Sequence, residues 1–141
     1  MSINFWKDNK QKKIVDPELF STIAERFAKE IHEEKKKKDK VNNPTQIRKF
    51  YDEVVHFDTR NRSNEDFKAN IPYIKMLYAK AVYAEARDLV SPGFKRFIKN
   101  SIEQINEPED IEVFARFFEA FMGFYRFEIE QYKRQKGGRG L

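Results

Sequence analysis

The chain has 141 residues, 40% hydrophobic and 36% charged, the size of one compact domain with a modest core beneath an ionic surface. Twenty-eight Lys and Arg against twenty-three Asp and Glu leave a formal charge of +5, which favours polyanionic partners. Cysteine is absent, so disulfides, Cys-ligated zinc, iron–sulfur clusters and thiol catalysis are excluded.

Read from the start, the segment Met1-Ser2-Ile3-Asn4-Phe5-Trp6-Lys7-Asp8 lacks the apolar stretch of a secretory signal, which sets the expectation of a cytoplasmic location and a flexible, basic N-terminal segment. Asp16-Pro17-Glu18 places a capping carboxylate before a proline, and Leu19, Phe20, Ile23, Ala24, Phe27, Ala28 and Ile31 recur at spacings of three and four, which predicts the first helix. The run Lys35-Lys36-Lys37-Lys38-Asp39-Lys40 crowds like charges and offers no apolar anchor, so a frayed helix end and a mobile Lys-rich loop are expected near residues 35–42.

Asn43-Pro44-Thr45-Gln46 is a second helix start, with Asn as cap and Gln able to reach back. Its buried stripe is predicted as Ile47, Phe50, Tyr51, Val54 and Phe57, leaving Arg48, Lys49, Asp52 and Glu53 wet. Ser63-Asn64-Glu65-Asp66 opens a short helix that Pro72 is expected to break or kink, with a further helix from Tyr73 to Leu89 burying Ile74, Leu77, Tyr78 and Ala81. Ser91-Pro92-Gly93 separates it from a helix over residues 94–106 with Phe94, Phe97, Ile98, Ile102 and Ile105 inward.

Acids at Glu107, Glu109 and Asp110 favour the start of a last helix running to about Gln135, followed by a flexible Gly-Arg tail from about residue 136. That helix carries two apolar stripes, one through Ile111, Phe114, Phe118, Phe121, Tyr125 and Tyr132 and one through Val113, Phe117, Ala120, Phe124 and Phe127. Either the other helices surround it or a partner covers part of it. No window reaches the ~20 apolar residues of a membrane span. The fold class is therefore all-α, a single small bundle of about five helices with no sheet.

Catalytic chemistry has little to stand on. His32 and His56 lie on predicted helices without metal-ligand spacing, and a solvated helix residue is the simpler reading of each. No phosphate-cradling glycine loop or Ser-centred elbow is present. Neither a cofactor nor a metal site is expected, and an enzyme is not expected. The positive charge is more informative: Tyr73, Met76, Lys80, Tyr83 and Arg87 step by three and four along one helix, alternating planar and basic groups as single-strand binders do. The competing reading buries the two tyrosines and Met76 while Lys80 and Arg87 reach outward.

Two blocks carry a resemblance to a known family. Thr45-Gln46-Ile47-Arg48-Lys49-Phe50-Tyr51 and the stretch from Ile71-Pro72-Tyr73 through Tyr83-Ala84-Glu85-Ala86-Arg87 resemble the small subunit of type III-A CRISPR-Cas effector complexes, the Csm family, over roughly residues 44 to 132. The resemblance implies a helical subunit without catalytic activity, present in several copies along guide RNA paired with target RNA, beside other subunits of an antiviral ribonucleoprotein, with no membrane partner. It further implies that Arg48, Lys49, Lys75, Lys80 and Arg87 contact the target RNA backbone. A protein-interaction module that self-associates through its Phe-rich last helix is the alternative.

Overall fold

Prolines and serines set most of the helix starts. The computed structural model describes residues 2–7, 14–61 and 63–139. A π-helical turn, Leu19–Ile23, leads into α1 (Ala24–Lys37), followed by α2 (Pro44–Arg60), α3 (Asn64–Ala86), α4 (Pro92–Glu103) and α5 (Pro108–Arg139). Pro44, Pro92 and Pro108 each take a first helical position, where the missing N–H has no intrahelical partner to lose. Ser63 and Ser91 cap α3 and α4, their hydroxyls accepting from the Asp66 and Phe94 N–H groups at 3.1 and 3.3 Å. Asn43 departs from expectation, since its side chain caps nothing and instead accepts from Lys35 Nζ at 2.8 Å. No strand forms among the described residues beyond one antiparallel bridge, Trp6 to Val15.

α5 is the hub, because α1 and α2 both pack along it while α3 lies chiefly on α4. Phe114, Phe117, Phe118 and Phe121 of α5 are fully buried, met by Phe27 of α1 and by Phe94 and Phe97 of α4. Both greasy stripes of the last helix are thus covered largely by the chain itself, and of their rings Phe127 stands out as exposed.

Three expectations are corrected. α3 is one continuous 23-residue helix, and Pro72 sits inside it rather than at a joint. Pro72 lies on the exposed side, so water can solvate the Lys68 carbonyl that loses its helical partner. Replacing Pro72 with alanine restores that hydrogen bond and should raise unfolding free energy by about 1–3 kcal/mol in urea denaturation. The N-terminal segment is docked rather than loose: Ile3 and Phe5 are buried, Phe5 stacks on Phe114, and Gln104 bonds both the Phe5 N–H and the Ile3 carbonyl. Three apolar residues within Ile3–Trp6 explain this burial, whereas residues 8–13 lie outside the described residues. Helix α5 runs through Gly137 and Gly138 to Arg139, past the expected end near Gln135; Gly140 and Leu141 lie outside the described residues.

The Lys-rich run also differs from a loose loop. Lys35 to Lys37 complete the last turn of α1, and the Lys35 ammonium reaches the Asp39 and Val41 carbonyls beyond it. Cations at a helix C-terminus complement its exposed carbonyls. Lys38 and Lys40 both pair with Asp88 at the end of α3, at 2.6 and 3.3 Å, and these bonds hold the Asp88 carboxyl below its usual range.

Beneath this loop lies a buried polar knot. Asn42, fully buried with φ of 60°, accepts from the Ser91 N–H at 2.9 Å and donates to the Ser91 hydroxyl at 2.8 Å. Its backbone carbonyl accepts from the Tyr125 hydroxyl at 2.6 Å, and burial pushes that phenol up. One residue therefore ties the α1–α2 loop to the α3–α4 loop and to the middle of α5.

Candidate nucleic-acid interface

α3 has apolar or aromatic residues on two sides. Phe67, Ile74, Leu77, Ala81 and Ala84 face the core, while Tyr73, Met76, Val82 and Tyr83 face outward. Tyr73 and Tyr83 are 59% and 63% exposed, which overturns the reading that they widen the buried face. The stripe Tyr73, Met76, Lys80, Tyr83, Arg87 spans about 20 Å along the helix at 1.5 Å per residue. The Arg87 guanidinium lies 5.5 Å from the Tyr83 ring centroid, a cation–π pair at the surface.

α2 supplies the adjoining flank. Glu53 reaches Lys80 at 2.5 Å and so fastens α2 to α3, and Lys49 lies one turn before Glu53 on the same side of α2. Lys49 makes no ion pair among the described residues. The Lys80–Glu53 pair is partly exposed, so it is weakly held and a phosphate can compete for the ammonium.

Lys49, Lys80 and Arg87 thus share one side of the α2–α3 pair, together with Tyr73, Met76 and Tyr83. Arg48 and Lys75 do not join them. Arg48 pairs with Asp52 at 3.7 Å and lines a hollow of about 460 Å³ between α2 and α5, beside Met122, Gly123 and Arg126. Lys75 lines another hollow, about 300 Å³, between α3 and α4 with Tyr78 and Lys99, whose ammonium lies 5.6 Å from the Tyr78 ring. Only the fold brings Arg126 of α5 beside Arg48 and Lys99 of α4 beside Lys75, so no local pattern announces either pairing.

The two histidines divide. His56 is exposed on α2, as expected, whereas His32 is buried to 6% exposure between α1 and α5, edge-on to Tyr125 and Tyr132. Burial, reinforced by the Lys36 ammonium, holds the His32 imidazole below its ordinary 6.5. No group of three His, Asp or Glu among the described residues is placed to hold a metal ion. No helix among the described residues is long and apolar enough to cross a membrane.

The family model described as Csm2 Type III-A matches residues 15–131, which include α1 to α4 and most of α5. Neither a curated protein nor a solved structure matches the chain.

Proposed function

Since the chain belongs to the Csm2 family, the small subunit of type III-A CRISPR complexes, we propose that it lines the guide RNA–target RNA duplex and holds the target strand through the α2–α3 face. The single observation that carries this reading is the exposed stripe of alternating aromatic and basic side chains on α3. Lys49, Lys80 and Arg87 attract phosphates without regard to sequence, and Tyr73 and Tyr83 offer flat surfaces to ribose or an unstacked base. Arg48 and Lys75 flank the strand from the neighbouring hollows. Several copies of the subunit, each contributing a few contacts, add up along one duplex through effective concentration. In this role the subunit sits in the cytoplasm as part of an antiviral ribonucleoprotein, needs no cofactor and performs no chemistry, which falls to other subunits.

Self-association through the Phe-rich last helix is less well supported, because α5 spends Phe114, Phe117, Phe118 and Phe121 inside its own chain. The test is the salt dependence of binding to single-stranded RNA, measured by fluorescence anisotropy. The variant carrying Lys49→Gln, Lys80→Gln and Arg87→Gln should lose roughly 2 from the logarithmic salt slope, about 0.7 for each phosphate contact. An unchanged slope with intact folding refutes the assignment.

A further inference from the structure

At the far end of α1, the side chains of His32, Lys35 and Lys36 meet Tyr132, Lys133 and Lys136 of α5 around a hollow of about 260 Å³. Asp39 is the one acidic residue on its lining. The cations there are not equally occupied. Lys35 spends its ammonium on the Asp39 and Val41 carbonyls and the Asn43 side chain, and Lys36 pairs with Glu33 at 2.6 Å. Lys133 and Lys136 make no ion pair among the described residues.

Tyr132 stands among these charges. The ammonium groups of Lys36 and Lys136 lie 5.5 and 4.8 Å from its ring centroid, and the His32 ring meets it edge-on at 5.3 Å. Two ammonium groups and an imidazole thus already gather around this ring. His32 adds a donor to these cations: its side chain lines the hollow, and no hydrogen bond to another described residue occupies either ring nitrogen. The local field agrees, because Lys133 adds to the burial that holds the Lys35 ammonium below its ordinary range.

We propose that this hollow is a phosphate site in which the ammonium groups of Lys133 and Lys136, neither paired with a carboxylate among the described residues, hold a phosphate dianion and His32 donates a ring N–H to it. Two negative charges match the two cations that no carboxylate neutralises, and the volume admits a phosphate or pyrophosphate group. The hollow is lined by α1, the residue Asp39 beyond it and α5, so it shares no residue with the α2–α3 face and does not rest on the strand contacts proposed above. The phosphate comes either from a free phosphate compound or from the 5′ end of an RNA.

The charged groups around His32 are Glu33, Lys35 and Lys36 from α1, Asp39 from the loop, and Glu128, Lys133 and Lys136 from α5, with the phenols of Tyr125 and Tyr132 against its ring. A bound dianion favours the imidazolium, so binding must raise the His32 titration midpoint and tighten as pH falls. The experiment is an NMR titration of both histidine rings in the full chain with inorganic pyrophosphate, and with short RNAs bearing a 5′-phosphate or a 5′-hydroxyl. His32 should move upward by about one pH unit, equivalent to roughly tenfold tighter binding to its protonated form, while the exposed His56 stays in place. In the Lys133→Gln, Lys136→Gln variant, which retains His32 and the core, the shift should vanish. A response to pyrophosphate alone identifies a free phosphate compound as the source, and a response to the 5′-phosphorylated but not the hydroxyl RNA identifies the RNA end. No shift with pyrophosphate or 5′-phosphorylated RNA, an equal shift with both RNAs, or an undiminished shift in the double variant overturns the proposal.

Discussion

Phe97→Ala should lower the unfolding free energy by about 3–5 kcal/mol, the range for truncating a buried phenylalanine. Phe97 is 2% exposed, and its ring lies within 4.7 to 6.1 Å of the rings of Phe27, Phe94, Phe114, Phe117, Phe118 and Phe121. These neighbours come from α1, α4 and α5, so no single helix can shift to fill the space. The loss combines the transfer of the ring back to water with a cavity that rigid aromatic walls cannot close. Phe50→Ala falls in the same class, since Phe50 is buried against Phe94, but it touches fewer rings and should cost less. Thermal melts monitored by circular dichroism should show a fall of roughly 10–15 °C for Phe97→Ala. A fall of only a few degrees would mean that the aromatic centre is loosely packed.

Asn42→Ala should be comparably damaging for a different reason. It removes the acceptor of the buried Ser91 N–H and the donor to the Ser91 hydroxyl. A buried polar group left without a partner costs about 1–3 kcal/mol. Alanine is also strained by about 1 kcal/mol at φ of 60°, a conformation that asparagine tolerates. The sum is about 2–4 kcal/mol in chemical denaturation. Asn42→Gly separates the two causes: it relieves the backbone strain but restores no hydrogen bond, so it should recover about 1 kcal/mol and no more. Full recovery in the glycine variant would show that the knot with Ser91 contributes nothing.

The contrast between these two residues shows what the amino-acid order makes legible. Phe97 announces itself, because Phe94, Phe97, Ile98 and Ile102 repeat at helical spacing, and periodicity is a local signal. The five helices and most of their inward faces follow from such repeats. Asn42 does not announce itself, since its partners Ser91 and Tyr125 are 49 and 83 residues away and only the packed bundle brings them together. Pro72 misleads for the opposite reason: a local rule against proline in helices is overridden when the freed carbonyl faces water and core residues on both sides hold the helix. Ile3 and Phe5 look like part of a loose end until a groove beside α4 and α5 exists to receive them.

Of the candidate site, the α3 stripe was readable because its spacing is helical, but its exposure was not, since an aromatic at that spacing fits a core equally well. Tyr73 and Tyr83 proved to face outward. The division of the five basic residues into Lys49, Lys80 and Arg87 on one flank and Arg48 and Lys75 in separate hollows depends on how α2, α4 and α5 flank α3, which no local pattern encodes. His32 beside the charged Glu33 has the local pattern of a solvated helix residue, yet it is the fourth residue after Ala28 and falls on the buried face of α1.

The α2–α3 face is tested most directly by ultraviolet cross-linking of the assembled type III-A complex bound to target RNA, with the linked peptides of this subunit identified by mass spectrometry. Linkage concentrated at Tyr73 and Tyr83 on α3 is the expected result. Linkage confined to other helices, with both tyrosines unmodified, would contradict the placement of the RNA strand.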